Sequence, residues 1–174
     1  MKVYIVRHGE VLHNALKIYN NENEDLNDNG LKQAEMLKSK IKDLEYDMII
    51  SSPLIRAKHT AEIINVKNKD ILIDNRLEER NPGDLSGQPL EVTNREEYWN
   101  YYTEIQYGTS ENIQEFFKKV YNFLDELKTK DYECVLIVAH SGVSKAFSGY
   151  FEGIQEGKFL NRGLKNCEIK MYEL

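Results

Sequence analysis

The sequence predicts an α/β fold, a three-layer α/β/α sandwich around a mostly parallel central sheet. Short apolar runs alternate with longer segments of helical period, as in a sheet assembled from βαβ units. One run, Cys134-Val135-Leu136-Ile137-Val138-Ala139, is apolar at every position, the pattern of a central strand buried on both faces. The length, 174 residues at 41% hydrophobic and 30% charged, suits a single domain over 1–174 that buries roughly 70% of its unfolded surface.

Taken in chain order, Val3–Val6 is the first strand. Leu31, Ala34, Leu37, Ile41 and Leu44 form one apolar stripe behind Asn27 as N-cap, which predicts a helix over about 30–44. Met48–Ile50 is the second strand, and Ser52-Pro53 reads as a cap and first-turn proline opening a helix that runs to Ile64. Ile71–Ile73 is a third strand. The acidic, aromatic stretch from Pro89 to Tyr107, with Trp99, Tyr101, Tyr102 and Tyr107, reads as irregular or briefly helical. Ser110 is placed to cap a helix whose buried face carries Ile113, Phe116, Phe117, Val120, Leu124 and Leu127. After the central strand, Glu168–Tyr172 alternates polar and apolar residues and so belongs near a sheet edge.

The charge balance narrows the function. Lys plus Arg number 23 against 29 Asp plus Glu, a formal net charge of −6. Such a chain has no broad basic footprint for nucleic acid or an anionic membrane, so any anion it binds is held by a local cluster. Cys134 and Cys167 lie far apart in apolar, strand-like settings, which predicts core thiols rather than a zinc site or a disulfide. His8, His13, His59 and His140 lack the i, i+4 pairing of zinc enzymes, and two of them sit near arginines that repel a cation, so no metal site is expected. Gly149, Gly153 and Gly157-Lys158 have the wrong spacing for a P-loop. Met1-Lys2 leads directly into the first strand and no run approaches the roughly 18 apolar residues of a membrane span, so the expected location is cytoplasmic.

Three strands end directly in polar clusters: Val6 runs into Arg7-His8-Gly9-Glu10, Ile50 into Ser51-Ser52-Pro53, and Ala139 into His140-Ser141-Gly142. Ligands of open α/β sheets bind outside the carboxyl ends of the strands, so these clusters are expected to converge with Arg56, one turn into the next helix. Two arginines, two histidines and helix N-termini describe a pocket for a compact dianion such as phosphate. Neutral imidazole there is also a nucleophile, and surrounding positive charge keeps it neutral. His59 is expected to be exposed, and His13 to lie in an exposed loop beside the motif, where it and the Pro89–Tyr107 stretch would flank the phosphate pocket and set specificity.

Arg7-His8-Gly9-Glu10 with Asn14 resembles the signature of the histidine phosphatase superfamily, also called phosphoglycerate-mutase-like. Further segments resemble its landmarks in order: Leu26-Asn27-Asp28-Asn29-Gly30 with Gln33-Ala34, Ser52-Pro53-Leu54 with Arg56-Ala57 and Thr60-Ala61-Glu62, Arg76-Leu77-Glu78-Glu79 with Gly83 and Gly87, Val138 to Val143, and Asn166-Cys167-Glu168-Ile169. The resemblance implies a phosphoglycerate-mutase-like fold in which His8 is phosphorylated. Arg7, Arg56 and His140 would hold the phosphoryl oxygens, with Asn14 and Ser141 as further contacts. Glu79, chosen over Glu78 by its register with Leu77 and Gly83, would protonate the leaving oxygen and then activate water. His140 would be the charged, donating histidine and His8 the neutral one. Val11, Ser86 and Ser141 depart from the common pattern without touching Arg7, His8, Arg56 or His140, so they bear on the substrate and not on the reaction class.

The resulting expectation is a metal- and cofactor-independent hydrolase of a small phosphomonoester. A phosphoglycerate mutase is the alternative enzyme, disfavoured because the segment between Gly87 and Ser110 is shorter than the insertion that resembling mutases use. A non-catalytic phosphate-binding or scaffold protein is the third reading, opposed by the joint presence of Arg7, His8, Arg56, Glu79 and His140.

Overall fold

In a computed structural model, which describes residues 1–174 except for the Gln155 side chain, five strands form one sheet. They are β1 (Lys2–Arg7), β2 (Met48–Ser51), β3 (Ile71–Ile73), β4 (Cys134–Ala139) and β5 (Ile169–Glu173), in the order β3-β2-β4-β1-β5. All neighbours are parallel except β1 and β5, so the alternating segment near the C-terminus is the antiparallel edge. β4 lies at the centre with every residue buried, as its unbroken apolar run requires.

Successive strand side chains face opposite layers. Val3, Ile5, Val135 and Ile137 pack with α5 (Ile113–Leu127), α6 (Ser141–Glu152) and the aromatic residues Tyr98 and Trp99. Val6, Ile49, Leu136 and Val138 pack with α2 (Asp28–Lys40) and α3 (Ile55–Ile64). The period-2 alternation of the strands thus generates the three layers. The short α1 (Leu12–Leu16) and α4 (Arg95–Tyr98) lie in the connections.

Several expected boundaries shift for local reasons. Asn27 does cap α2, accepting from the Gly30 N–H at 2.8 Å, but the helix stops at Lys40. Ile41 and Leu37 remain in the apolar cluster while the backbone turns down towards β2. Ser52 is not the cap of α3. Its N–H still donates to the Val138 carbonyl at 3.0 Å, Pro53 disfavours helical geometry in the residue before it, and Leu54 is the N-cap. Asn112, not Ser110, caps α5, accepting from Glu115 N–H at 3.1 Å, while Ser110 is buried. The predicted buried face of α5 is present and gains Phe123. Cys134 is buried, but Cys167 is only half-buried and sits in a left-handed turn at φ 53° just before β5. The 89–107 stretch consists of a single turn at Leu90–Val92, then α4 capped by Asn94, then irregular chain.

Candidate active site

The register of the sheet brings the polar strand ends to one level. Arg7 pairs with Ala139 and Ser51 with Val138, so the next residues, His8, His140 and Ser52, emerge side by side. After β1 the chain passes to the layer of α2, whereas after β4 it passes into α6 on the other face. The adjacent strands β1 and β4 therefore flank a topological switch point, where a crevice opens in such sheets. A cavity of about 850 Å³ lies above it, lined among others by Arg7, His8, Asn14, Arg56, Glu79 and Ser141.

His8 is 2% exposed, and its Nδ1 lies 2.7 Å from the Gly9 carbonyl oxygen. A carbonyl only accepts, so Nδ1 carries the ring proton and Nε2 presents a lone pair. Burial, reinforced by Arg56 and Arg7, pushes the His8 pKa well below its ordinary value, so the ring is neutral. The surrounding backbone is anchored: His8 N–H donates to Ala139 O at 3.0 Å, Asn166 Nδ2 donates to His8 O at 3.0 Å, and Gly9 N–H donates to Thr60 Oγ1 at 3.1 Å. Thr60 in turn donates to the Arg56 carbonyl at 2.7 Å, which ties α3 to the end of β1. Gly9 is needed because a Cβ there would lie 2.6 Å from the Gly30 carbonyl oxygen.

Arg7 Nη1 donates to Leu164 O at 3.0 Å and Arg56 Nη1 to Asn21 O at 2.8 Å. Each bond fixes one arm of the guanidinium and leaves Nε buried without a protein partner. His140, fully buried, is likewise unpartnered at Nδ1, while its Nε2 is 2.7 Å from Ser52 Oγ. The two imidazoles meet edge to face, with centroids 5.1 Å apart.

The expected charge on His140 is not present. Burial, Arg56 and His8 push its pKa well below the ordinary histidine value, so the unliganded ring is neutral. Donation does not require the charge. Ser52 Oγ accepts from Leu54 N–H at 3.3 Å, and its own hydroxyl proton can point to His140 Nε2, which places the ring proton on Nδ1.

Glu79 reaches the same place from the loop after β3. Its Oε2 accepts from Gly142 N–H at 3.0 Å, at the N-terminus of α6, and its Oε1 accepts from Arg80 N–H at 2.9 Å. Glu78 lines the cavity too, but it makes no such bond to α6. Asn14 Oδ1 accepts from Asn166 Nδ2 at 3.2 Å, and Asn14 Nδ2 donates to Asn20 Oδ1 at 3.2 Å. Ser141 Oγ accepts from Lys145 Nζ at 3.2 Å. The structure thus brings together every residue predicted for the site.

His59 differs from expectation, and His13 differs only in part. His13 lies in α1 rather than in an exposed loop, yet it does flank the pocket, lining the cavity and facing Glu24 at 3.3 Å. His59 is half-buried against Asp25 at 2.8 Å. Among the described residues, no cluster of three or more His, Cys, Asp or Glu side chains is arranged to hold a metal ion, and no helix is long and apolar enough to cross a membrane.

A family model described as the histidine phosphatase superfamily (branch 1) matches residues 3–174. The chain belongs to this superfamily. It is 33% identical over 174 residues to the uncharacterized phosphatase PhoE of Bacillus subtilis, covering 96% of this chain and 88% of that protein. It is 28% identical over 180 residues to a probable phosphoglycerate mutase, GpmB, of Yersinia pestis, covering 97% and 83%. The structure superimposes with a TM-score of 0.83 and 25% identity on a phosphoserine phosphatase from Entamoeba histolytica in complex with 3-phosphoglyceric acid, covering 98% of this chain and 89% of that one. The superfamily relatives therefore carry both phosphatase and mutase names.

Three further residues shape this histidine phosphatase site in ways their sequence pattern does not specify. Ser52, expected at the convergence and as a helix cap, has its hydroxyl against His140 instead. Thr60 sits four residues after Arg56, a spacing at which its hydroxyl returns to the Arg56 carbonyl and presents its oxygen to Gly9. Lys145 is the sole charge in α6 before Glu152, a lone cation amid Val143, Ala146 and Phe147, and that isolation was the available signal.

Proposed function

We propose that the protein is a metal-independent phosphomonoester hydrolase that transfers the phosphoryl group to His8 and then to water. The observation that carries this reading is the set of buried, unpartnered polar atoms, Arg7 Nε, Arg56 Nε and His140 Nδ1, beside a neutral imidazole whose Nε2 lone pair is free. Buried polar atoms without partners are costly, and a phosphoryl group would satisfy all three.

In the first step His8 Nε2 attacks phosphorus as the ester oxygen departs. Arg7, Arg56, His140 and Asn14 hold the non-bridging oxygens, with Ser141 at the mouth of α6 as a further contact. Glu79 protonates the departing alkoxide, and in the second step its carboxylate takes a proton from the water that attacks the phosphohistidine, which regenerates His8 and releases phosphate. The fixed Nδ1 proton of His8 makes Nε2 the only ring nitrogen available for attack.

The test is hydrolysis of p-nitrophenyl phosphate in the presence of a chelator. Turnover is expected to persist, and strict dependence on added divalent metal would overturn the reading. The mutase-named relative sustains a second reading, in which the phosphoryl group returns to another substrate oxygen. Product analysis separates them: a hydrolase releases phosphate from 3-phosphoglycerate faster than it interconverts the isomers, and a mutase does the reverse. A small phosphorylated metabolite is the substrate class favoured by the cavity volume and by the phosphoserine phosphatase likeness.

A further inference from the structure

Beyond the phosphate-facing residues, the cavity holds a cation that the proposed chemistry does not use. Lys145 projects from α6 and is 4% exposed, yet it lines the cavity. Its ammonium has three donors and one hydrogen bond, to Ser141 Oγ at 3.2 Å. It lies 4.8 Å from the centroid of the Trp99 ring. Among the described residues no carboxylate pairs with it, nor with Arg95, which also lines the cavity and lies over the Tyr98 ring at 5.2 Å.

A buried lysine without an ion-pair partner is costly for the fold. A methionine or leucine would fill the same space at lower cost, so packing alone does not account for it. The surroundings are shaped to the ammonium: a Cβ at Gly163 would occupy the space of Lys145 Nζ and Ser141 Oγ. Burial pulls the ammonium down to about 8, opposed by the Glu79 carboxylate, so at neutral pH the group remains cationic.

Position indicates which part of a substrate it meets. Trp99, whose face carries Lys145, borders Gly142 next to Glu79. On the reading that Glu79 protonates the leaving oxygen, Lys145 lies on the leaving-group side of the phosphate. We propose that Lys145 is a specificity-determining residue that binds a carboxylate on the leaving alcohol, so that the preferred substrates are phosphomonoesters of hydroxy acids. This inference rests on the hydrolase reading for the direction of the substrate, but the subsite is testable by binding alone.

The matched probes are 3-phosphoglycerate and glycerol 3-phosphate, which differ by a carboxylate in place of a hydroxymethyl group. Calorimetry on full-length protein carrying His8→Ala, which prevents turnover, is expected to show 3-phosphoglycerate binding about tenfold or more tightly, the scale of a charged hydrogen bond. Adding Lys145→Met is expected to bring the two affinities within about threefold of each other, a change in ratio that a general loss of structure would not produce. Equal affinities in the His8→Ala protein, or a preference that survives Lys145→Met, would overturn the subsite. The first of these outcomes needs no Lys145 variant and so stands even if that variant fails to fold. If p-nitrophenyl phosphate is hydrolysed while the two probes bind equally, the subsite fails and the hydrolase stands. If the probes are discriminated but no ester is hydrolysed, the subsite stands and the hydrolase fails.

Discussion

Replacing Gly142 with alanine would place a methyl group 2.7 Å from the Trp99 ring and in deeper overlap with Glu79 Oε1, whereas real Cβ contacts essentially never fall below 3.0 Å. The helix N-terminus is held by β4 and the ring by the aromatic core, so the freest response is retreat of the Glu79 carboxyl by about 1 Å, which breaks its bond to Gly142 N–H. A displacement of that size in a reacting group costs about 100-fold, and a positioned general acid contributes about 100- to 10,000-fold. In the phosphoryl transfer to His8 the penalty falls on protonation of the leaving oxygen, so kcat/KM, which reports that step and not the later attack of water, depends on the leaving group. For an alkyl phosphate such as glycerol 3-phosphate, whose alkoxide leaves poorly without a proton, kcat/KM is expected to fall about 100-fold or more. For p-nitrophenyl phosphate, whose phenolate leaves unaided, the fall in kcat/KM is expected to stay under about tenfold. Overpacking is expected to cost about 1–3 kcal/mol in a urea titration. Equal losses on both esters would refute the assignment of Glu79 as the proton donor.

Other expectations follow from the same contacts. His8 and His140 both have lowered pKa values in the folded protein, so the unfolded chain takes up protons first as pH falls below about 6.5. Stability is then lost on acidification at about 1.4 kcal/mol per pH unit for each histidine until its folded pKa is reached. Urea midpoints between pH 7 and pH 5 are expected to fall less steeply for His8→Asn, and an unchanged slope would contradict the buried neutral ring. Ser52→Ala strands His140 Nε2 without its 2.7 Å partner, with an expected cost of about 1–3 kcal/mol and weaker competitive inhibition by inorganic phosphate; intact inhibition would count against it. Arg56→Lys cannot hold Asn21 O and a phosphoryl oxygen with one fork, so kcat/KM is expected to drop about 100-fold, the equivalent of roughly 2.7 kcal/mol, and a drop under threefold would contradict the role.

The fold and the centre of the site were legible because they depend on short-range pattern. Apolar runs ending abruptly in Arg7-His8, Ser51-Ser52 and His140-Ser141 mark strand ends, and Arg56 is marked by its place in a first helical turn. What escaped depends on contacts between distant segments. Pro53 invited a cap role for Ser52, whose hydroxyl in fact belongs to His140 on another strand. Ser110 competed with Asn112 as cap, and only the geometry of the turn decides between two such residues. The neutrality of His140 is a product of full burial beside Arg56 and His8, which no local pattern reports. Lys145 acquires meaning once Trp99, from the irregular segment, lies against it.

The central claim is a covalent phosphoryl group on one ring nitrogen. Rapid quenching of the protein during turnover of an aryl phosphate, followed by peptide mass spectrometry under alkaline conditions that preserve phosphohistidine, tests it most directly. The expected result is a single phosphoryl adduct on His8, absent from the His8→Ala protein and lost when turnover is allowed to finish. Steady turnover with no adduct on His8 under these conditions, or an adduct on another residue, would contradict it.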